Sequence, residues 1–404
     1  MAALTYCAGR SMPRSRLLAA REESVTRSGR VRADGVPESV KRGDMRWGRR
    51  RTAAALLAAA AVLAACCLLT ARHRPAPGGG GAVLRWDLPP EDVRRYLKEA
   101  EADNAVRLRT IRDTCRRHNL GLHRHSAQPP TFKHPPTPQY AVFYIDRTHK
   151  LSWCPVYKAG STTFLYNLLR LAGFPDSYLR AGTRQLSDLA RDVYPELEAP
   201  DAEQALHSTL KLLVVRHPFE RLLAAYRDKL ENSSTGREHG TLHYYRRYGR
   251  RVVSRYRKGG NATRTWDLLR ADQYLWPAGG PRAAGVEPTF LEFVRYLTDT
   301  DVVLHSDDHW IPYYLYCTPC LVDYDIVAKV ETLLRDQVYF IHSAHLQAHI
   351  QPRWEHRSGG GDVARRYFSQ LTRSLVEKLH DKYRLDFELF GYSANEYLDL
   401  AAAD

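Results

Sequence analysis

Apolar and polar positions along this chain fall into repeated strand-then-helix units, two of which share one plan. In Leu151 to Gly173 (LSWCPVYKAGSTTFLYNLLRLAG) an apolar, β-favouring run stops near Tyr157. A turn of small and hydroxyl residues follows, and Phe164, Leu165, Leu168, Leu169 and Leu171 then recur at the spacing of a buried helix face. In Leu210 to Glu231 (LKLLVVRHPFERLLAAYRDKLE) the run Leu212–Val215 leads through Arg216 to Pro218, a proline suited to a first helical position. Phe219, Leu222, Leu223 and Tyr226 then face inward. Further strands are expected at AVFYID before Arg147 and at Tyr324–Val330, and further helices at Glu287–Thr298 and over the long stretch Asp362–Lys382. Thr183–Arg191 and Asp201–His207 read as surface helices, and Glu91–Arg117 as a charged stem or packing helix. This alternation predicts an α/β fold, a mostly parallel sheet flanked by helices.

Both shared turns are built to hold anions. The first backbone N–H groups of a helix have no partner inside it, and with the helix dipole they attract negative charge. In the first turn Lys158 adds a full charge and Gly160 permits close approach. Ser161, Thr162 and Thr163 offer caps and donors beside the amides from Ala159 onward. In the second, Arg216 sits where a strand gives way to a helix, so its fork can grip a phosphate. The pair suits a nucleoside carrying phosphate at both ends. The first turn is not a Walker loop, whose lysine ends the loop rather than beginning it, and no Walker or DFG-like metal site supports a kinase.

The net charge of +15 is unevenly spread, because residues 1–51 carry 13 Lys and Arg against 5 Asp and Glu. This segment, without apolar periodicity, reads as a disordered basic tail on the cytosolic side. Thr52 to Ala71 (TAAALLAAAAVLAACCLLTA) is uncharged and about the 20 residues that cross a bilayer, with Arg46, Arg49, Arg50 and Arg51 on its N-terminal flank. The expectation is a single transmembrane helix, a type II signal anchor with everything after it lumenal. Residues 72–138, with two proline-rich links, read as a stem, and residues 139–404 as the catalytic domain. Four cysteines then lie on the oxidising side, Cys115, Cys154, Cys317 and Cys320, and an even number favours two disulfides. Three pairings are open. The preferred one joins Cys115 to Cys154 and closes Cys317 to Cys320 locally; a zinc site is the rival. Asn232 and Asn261 head glycosylation sequons.

RHPFERLLAAYRDK resembles the 3′-phosphate-binding segment of the Golgi carbohydrate sulfotransferases, in the group containing the chondroitin and dermatan 4-O-sulfotransferases. Asp307–Thr332 (DDHWIPYYLYCTPCLVDYDIVAKVET) and Tyr383–Ser393 (YRLDFELFGYS) are similar to later segments of that group, in the same order. The resemblance covers roughly Tyr140 to Leu398. It implies a P-loop-like nucleotide-binding domain whose sulfate donor is 3′-phosphoadenosine 5′-phosphosulfate, with Lys158 and Ala159–Thr163 at the 5′-phosphosulfate and Arg216 at the 3′-phosphate. No metal is expected. One departure is Ala224, where the family usually places a serine. His309 is the candidate base for the acceptor hydroxyl, with Asp307 or Asp308 beside it; His207 and His217 are alternatives. The basic, tyrosine-rich stretch Arg237–Lys258 suits a polyanion, and in a lumenal domain that means an anionic glycan rather than nucleic acid. The expected acceptor is N-acetylgalactosamine of chondroitin or dermatan at its 4-hydroxyl. A lectin-like protein that kept the fold and lost the chemistry is the alternative.

Overall fold

Alternating apolar runs become the centre of the molecule, a four-stranded sheet. The computed structural model describes residues 88–231, 241–257, 287–354 and 361–404. The basic tail at 1–51, the apolar segment at 52–71 and the sequons at Asn232 and Asn261 lie outside the described residues. Among those described, no helix is long and apolar enough to cross a membrane. In chain order the elements are α1 (Pro90–Arg117), β1 (Tyr144–Asp146), β2 (Leu151–Cys154), α2 (Ser161–Leu171), α3 (Asp176–Ala181), α4 (Leu186–Val193) and α5 (Ala199–His207). They continue with β3 (Leu210–Val215), α6 (Pro218–Lys229), α7 (Thr241–Tyr244), a π turn (Tyr245–Gly249), α8 (Arg250–Tyr256), α9 (Phe290–Asp299) and α10 (Tyr313–Tyr316). The last are β4 (Ile326–Lys329), α11 (Leu333–Ser343), α12 (Gly361–Phe368), α13 (Arg373–Phe390) and α14 (Asn395–Leu400).

The strand order is β1-β2-β3-β4. β1 and β2 form an antiparallel hairpin, while β2, β3 and β4 run parallel, with Trp153 opposite Leu212 and Leu213 opposite Val327. The expected mostly parallel sheet flanked by helices is therefore present. Period 2 sends Leu212 and Val214 into a core on one face, with Trp153, Phe164 and Phe340, and Leu213 and Val215 into a core on the other. A third core gathers Phe219, Phe293, Trp310, Phe368 and Tyr383 among α6, α9, α12 and α13.

Several boundaries differ from the sequence pattern for local reasons. β2 ends at Cys154, because Pro155 has no N–H to give the ladder. The expected long helix at Asp362–Lys382 is two helices; Thr372 caps α13 by accepting from the Leu375 N–H and pairs with Ala402 as an isolated bridge. α1 is a packing helix in the same compact unit as the sheet, ahead of the boundary expected at residue 139. It buries Asn104 and Arg107, while Val106 is exposed. Asn104 accepts from the Val327 N–H and donates to the Asp325 carbonyl, each at 2.9 Å, and Arg107 donates to the Val327 carbonyl at 2.8 Å and to Asp336 at 2.6 Å. Two polar side chains thus occupy backbone groups of β4 and of the residue before it that an edge strand would leave open.

The disulfides correct the expected pairing. Cys115 joins Cys320 and Cys154 joins Cys317, so the two cysteines of the CxxC take different long-range partners and neither is left for zinc. The bridges close separations of 205 and 163 residues. On the chain-entropy account such a loop is worth about 5 kcal/mol, against about 2 for a local CxxC. They tie α1 and the end of β2 to the segment after α10. Gly121 lies against the first bridge at φ 55°, where a Cβ would stand 1.9 Å from the Cys320 carbonyl oxygen.

Candidate active site

The carboxyl ends of parallel strands in an open sheet face a crevice, and here that crevice is a cavity of about 1440 Å³. The residues after β2 and after β3 meet in it. Lys158 and Arg216 both line the wall, and Arg216 Nη1 donates to the Lys158 carbonyl at 3.4 Å. The first turn is left-handed twice over, with Lys158 at φ 68° and Gly160 at φ 76°. A lysine held there costs on the order of 1 kcal/mol relative to glycine, so the surrounding bonds must hold the turn. Ala159 N–H donates to the Val156 carbonyl at 3.2 Å.

Gly160 forms the N-cap of α2, and Ser161 opens the helix. Gly160, Ser161 and Thr162 line the cavity. Ala159 and Thr163 have buried side chains, so at those positions the backbone is what an anion would meet. The N-cap position is taken by the left-handed Gly160 rather than by one of the hydroxyl residues expected there.

Each cation of the pair has a carboxylate at hand. Lys158 Nζ lies 2.7 Å from Asp228 Oδ2, and Lys229 approaches the same oxygen at 3.2 Å. Burial pushes the Asp228 carboxyl up, but Lys158 and Lys229 outweigh it and bring the pKa to about 2. Burial lowers the Lys158 ammonium, with Asp228 opposing. Arg216 pairs with Glu220 at 3.0 Å, and the Tyr397 hydroxyl donates to the other Glu220 oxygen at 3.0 Å. Arg216, two residues before α6, and Glu220, Ala224 and Asp228 on it step by four residues, and all four line the cavity.

His309, on the segment between α9 and α10, lines the same cavity. Its Nδ1 is 2.7 Å from Asp307 Oδ1, which also accepts its backbone N–H at 3.1 Å. Asp307 Oδ2 accepts from the Tyr248 hydroxyl at 3.0 Å, and the Tyr244 hydroxyl is 3.2 Å from His309 Nδ1. The imidazole stacks on Tyr157 with ring centres 4.7 Å apart. Burial lowers its pKa below the usual 6.5, although Asp307 opposes this. A neutral ring whose Nδ1–H points at Asp307 keeps Nε2 as proton acceptor.

His217 lies elsewhere, packed between Phe387 and Tyr397 with its Nε2 at 2.9 Å from the Ser393 carbonyl, and His207 is exposed at the end of α5. Sequence reasoning missed Tyr157, Glu220, Asp228 and Tyr244. The four-residue stripe on α6 is the signal that would have found Glu220 and Asp228. The basic stretch after residue 240 has two roles: Tyr244 and Tyr248 turn inward to His309 and Asp307, and His243 and Arg247 line the cavity. Among the described residues no cluster of His, Cys, Asp and Glu is arranged to hold a metal ion.

A profile described as the Sulfotransferase family matches residues 142–393. Mouse carbohydrate sulfotransferase 8 is 29% identical over 296 residues, covering 71% of this chain and 63% of that protein. Rat carbohydrate sulfotransferase 11 is 28% identical over 298 residues, covering 72% of this chain and 76% of the relative, and human carbohydrate sulfotransferase 14 is 31% identical over 258 residues, covering 62% and 60%. The chain thus spans less than two-thirds of the length of mouse carbohydrate sulfotransferase 8 and of human carbohydrate sulfotransferase 14. No solved structure matches it.

Proposed function

The chain belongs to the sulfotransferase family, and from that premise we propose that it moves a sulfuryl group from 3′-phosphoadenosine 5′-phosphosulfate to a sugar hydroxyl. The observation that carries this reading is the meeting of Lys158 and Arg216 at one cavity wall, where Arg216 reaches the Lys158 carbonyl. One nucleotide with phosphate at both ends can span such neighbours. The donor's 5′ end would lie against Lys158 and the amides of Ala159–Thr163, and its 3′-phosphate against Arg216.

In the step itself the acceptor oxygen forms a bond to sulfur as the bond from sulfur to the 5′-phosphate oxygen breaks. The hydroxyl proton passes to His309 Nε2, and the electron pair leaves on the phosphate. Asp307 stabilises the imidazolium, and Lys158 stabilises the departing phosphate, electrostatic support of the kind that dominates group transfers with charged leaving groups. The acceptor we favour is the 4-hydroxyl of N-acetylgalactosamine in a chondroitin- or dermatan-like chain, whose anionic groups would meet Arg247 at the cavity. In this reading residues 52–71 anchor the protein in the Golgi membrane with the catalytic domain lumenal.

A second reading, a glycan-binding protein without transfer, draws on Ala224, which presents a methyl group to the cavity where the family usually has a hydroxyl. Radiolabelled donor with a panel of desulfated glycosaminoglycans separates the two. Label incorporated by the wild type and lost in Lys158→Ala supports transfer; glycan binding with no incorporation supports the second reading.

A further inference from the structure

One buried cation near the cavity has no part in the step just described. Arg221 lies on the core side of α6, 1% exposed, and among the described residues it forms no ion pair with a carboxylate. Its fork donates instead to three backbone carbonyls. Nε reaches Tyr157 at 3.0 Å, Nη2 reaches Asp308 at 3.0 Å and Nη1 reaches Ile311 at 2.5 Å. Two of these acceptors are the residues immediately before Lys158 and before His309.

The guanidinium lies over the ring of Tyr313, 4.8 Å from its centre. The Tyr313 hydroxyl in turn accepts from the Arg216 N–H at 2.9 Å and donates to the Arg216 carbonyl at 3.0 Å. Tyr313 is fixed from behind, because its own N–H donates at 2.8 Å to Asp386, which is fully buried. One arginine–tyrosine pair therefore holds the backbone at all three candidate site residues, which come from three distant parts of the chain.

A buried charge that forms no ion pair is an expensive way to fill a core position, since even a buried ion pair is often matched in stability by apolar side chains of similar volume. What an apolar residue cannot do is hold three carbonyls in one plane at fixed separations. We propose that Arg221 and Tyr313 are positioning residues for the transfer: Arg221 sets Lys158 relative to His309, and Tyr313 sets Arg216 in the same frame. This rests on the sulfotransferase reading, and the two residues act through others rather than on the substrates.

The test is steady-state kinetics of Arg221→Lys and Tyr313→Phe, with thermal melting measured on the same samples. Lysine keeps the charge and loses the fork, so kcat should fall about 100-fold, the cost of a misplacement near 1 Å, with the donor KM within about threefold of wild type. Tyr313→Phe keeps the ring under the guanidinium and loses the hydroxyl, so the donor KM should rise about tenfold with kcat little changed. Opposite splits in the two variants support the assignment. Lowered melting temperatures with wild-type kcat and KM in both variants would overturn it, leaving a purely structural pair. If Arg221→Lys does not fold, Tyr313→Phe decides alone, and an unchanged donor KM there is the contrary result. A wild type that transfers no sulfate refutes the parent reading instead, so the two failures are distinguishable.

Discussion

Replacing Asp307 by asparagine removes one charge next to the candidate base and little else in volume. Asp307 sits 2.7 Å from His309 Nδ1 in a buried position; if His309 is the base, as proposed, Asp307 fixes which ring nitrogen bears the proton and would stabilise the imidazolium formed as the acceptor loses its proton. Two unit charges about 4 Å apart interact by about 4 kcal/mol at an effective dielectric of 20, which bounds the effect near 10³-fold. The hydroxyls of Tyr244 and Tyr248 remain in the variant and absorb part of this, so kcat should fall about 10²-fold, within the range general bases contribute. The pH dependence carries an independent sign. His309 must be neutral to accept a proton, and burial already holds its pKa below 6.5, so wild-type kcat should fall only as the pH drops below that value. Asp307 opposes the depression, so Asp307→Asn should move the acid limb to still lower pH while lowering the plateau. Initial rates with radiolabelled donor between about pH 5 and 8, the range in which histidine titrates, measure both. A plateau within about fivefold of wild type, or a limb displaced to higher pH, would refute the base assignment.

Two further changes probe other parts of the account. Ala224→Ser places a hydroxyl on the stripe that continues from Arg216, and one hydrogen bond to a charged group, about 1.5 kcal/mol or more, should lower the donor KM by roughly tenfold or more; an unchanged KM would put the 3′-phosphate elsewhere. Cys320→Ser opens the bridge to Cys115, which closes a separation of 205 residues. With about 5 kcal/mol as the upper limit of its entropic contribution and about 2 °C per kcal/mol for a domain this large, melting should drop by up to about 10 °C. A melting temperature equal to wild type would show that α1 is held by its packing and by its polar contacts to β4, α11 and α13 without the bridge.

Much of the fold is legible where one physical rule acts locally. The apolar runs ending before Lys158 and Arg216 give strands, and the periodic leucines after them give helices, so the two strand-to-helix turns and their shared side of the sheet follow from the pattern. Features that depend on distant partners are not. Cys317 and Cys320 are near in sequence, yet each is drawn to a cysteine on another element. Asn104 and Arg107 read as polar interruptions of an amphipathic helix until β4 supplies the backbone groups they satisfy. Tyr244 and Tyr248 lie in a stretch whose charge points to a polyanion, and nothing local indicates that their hydroxyls turn to His309 and Asp307. Arg221 is the clearest case: it occupies an apolar phase of α6, where the pattern asks for leucine, and its reason is the set of three carbonyls from two other segments.

The central claim is that two cationic turns hold one doubly phosphorylated nucleotide, and calorimetric titration with adenosine 3′,5′-bisphosphate tests it without any acceptor. The account predicts one site on the wild type, at least about tenfold weaker binding in Lys158→Ala and in Arg216→Ala, and for Arg216→Ala no remaining preference over adenosine 5′-phosphate. Absence of binding, or affinity that neither substitution changes, would contradict it.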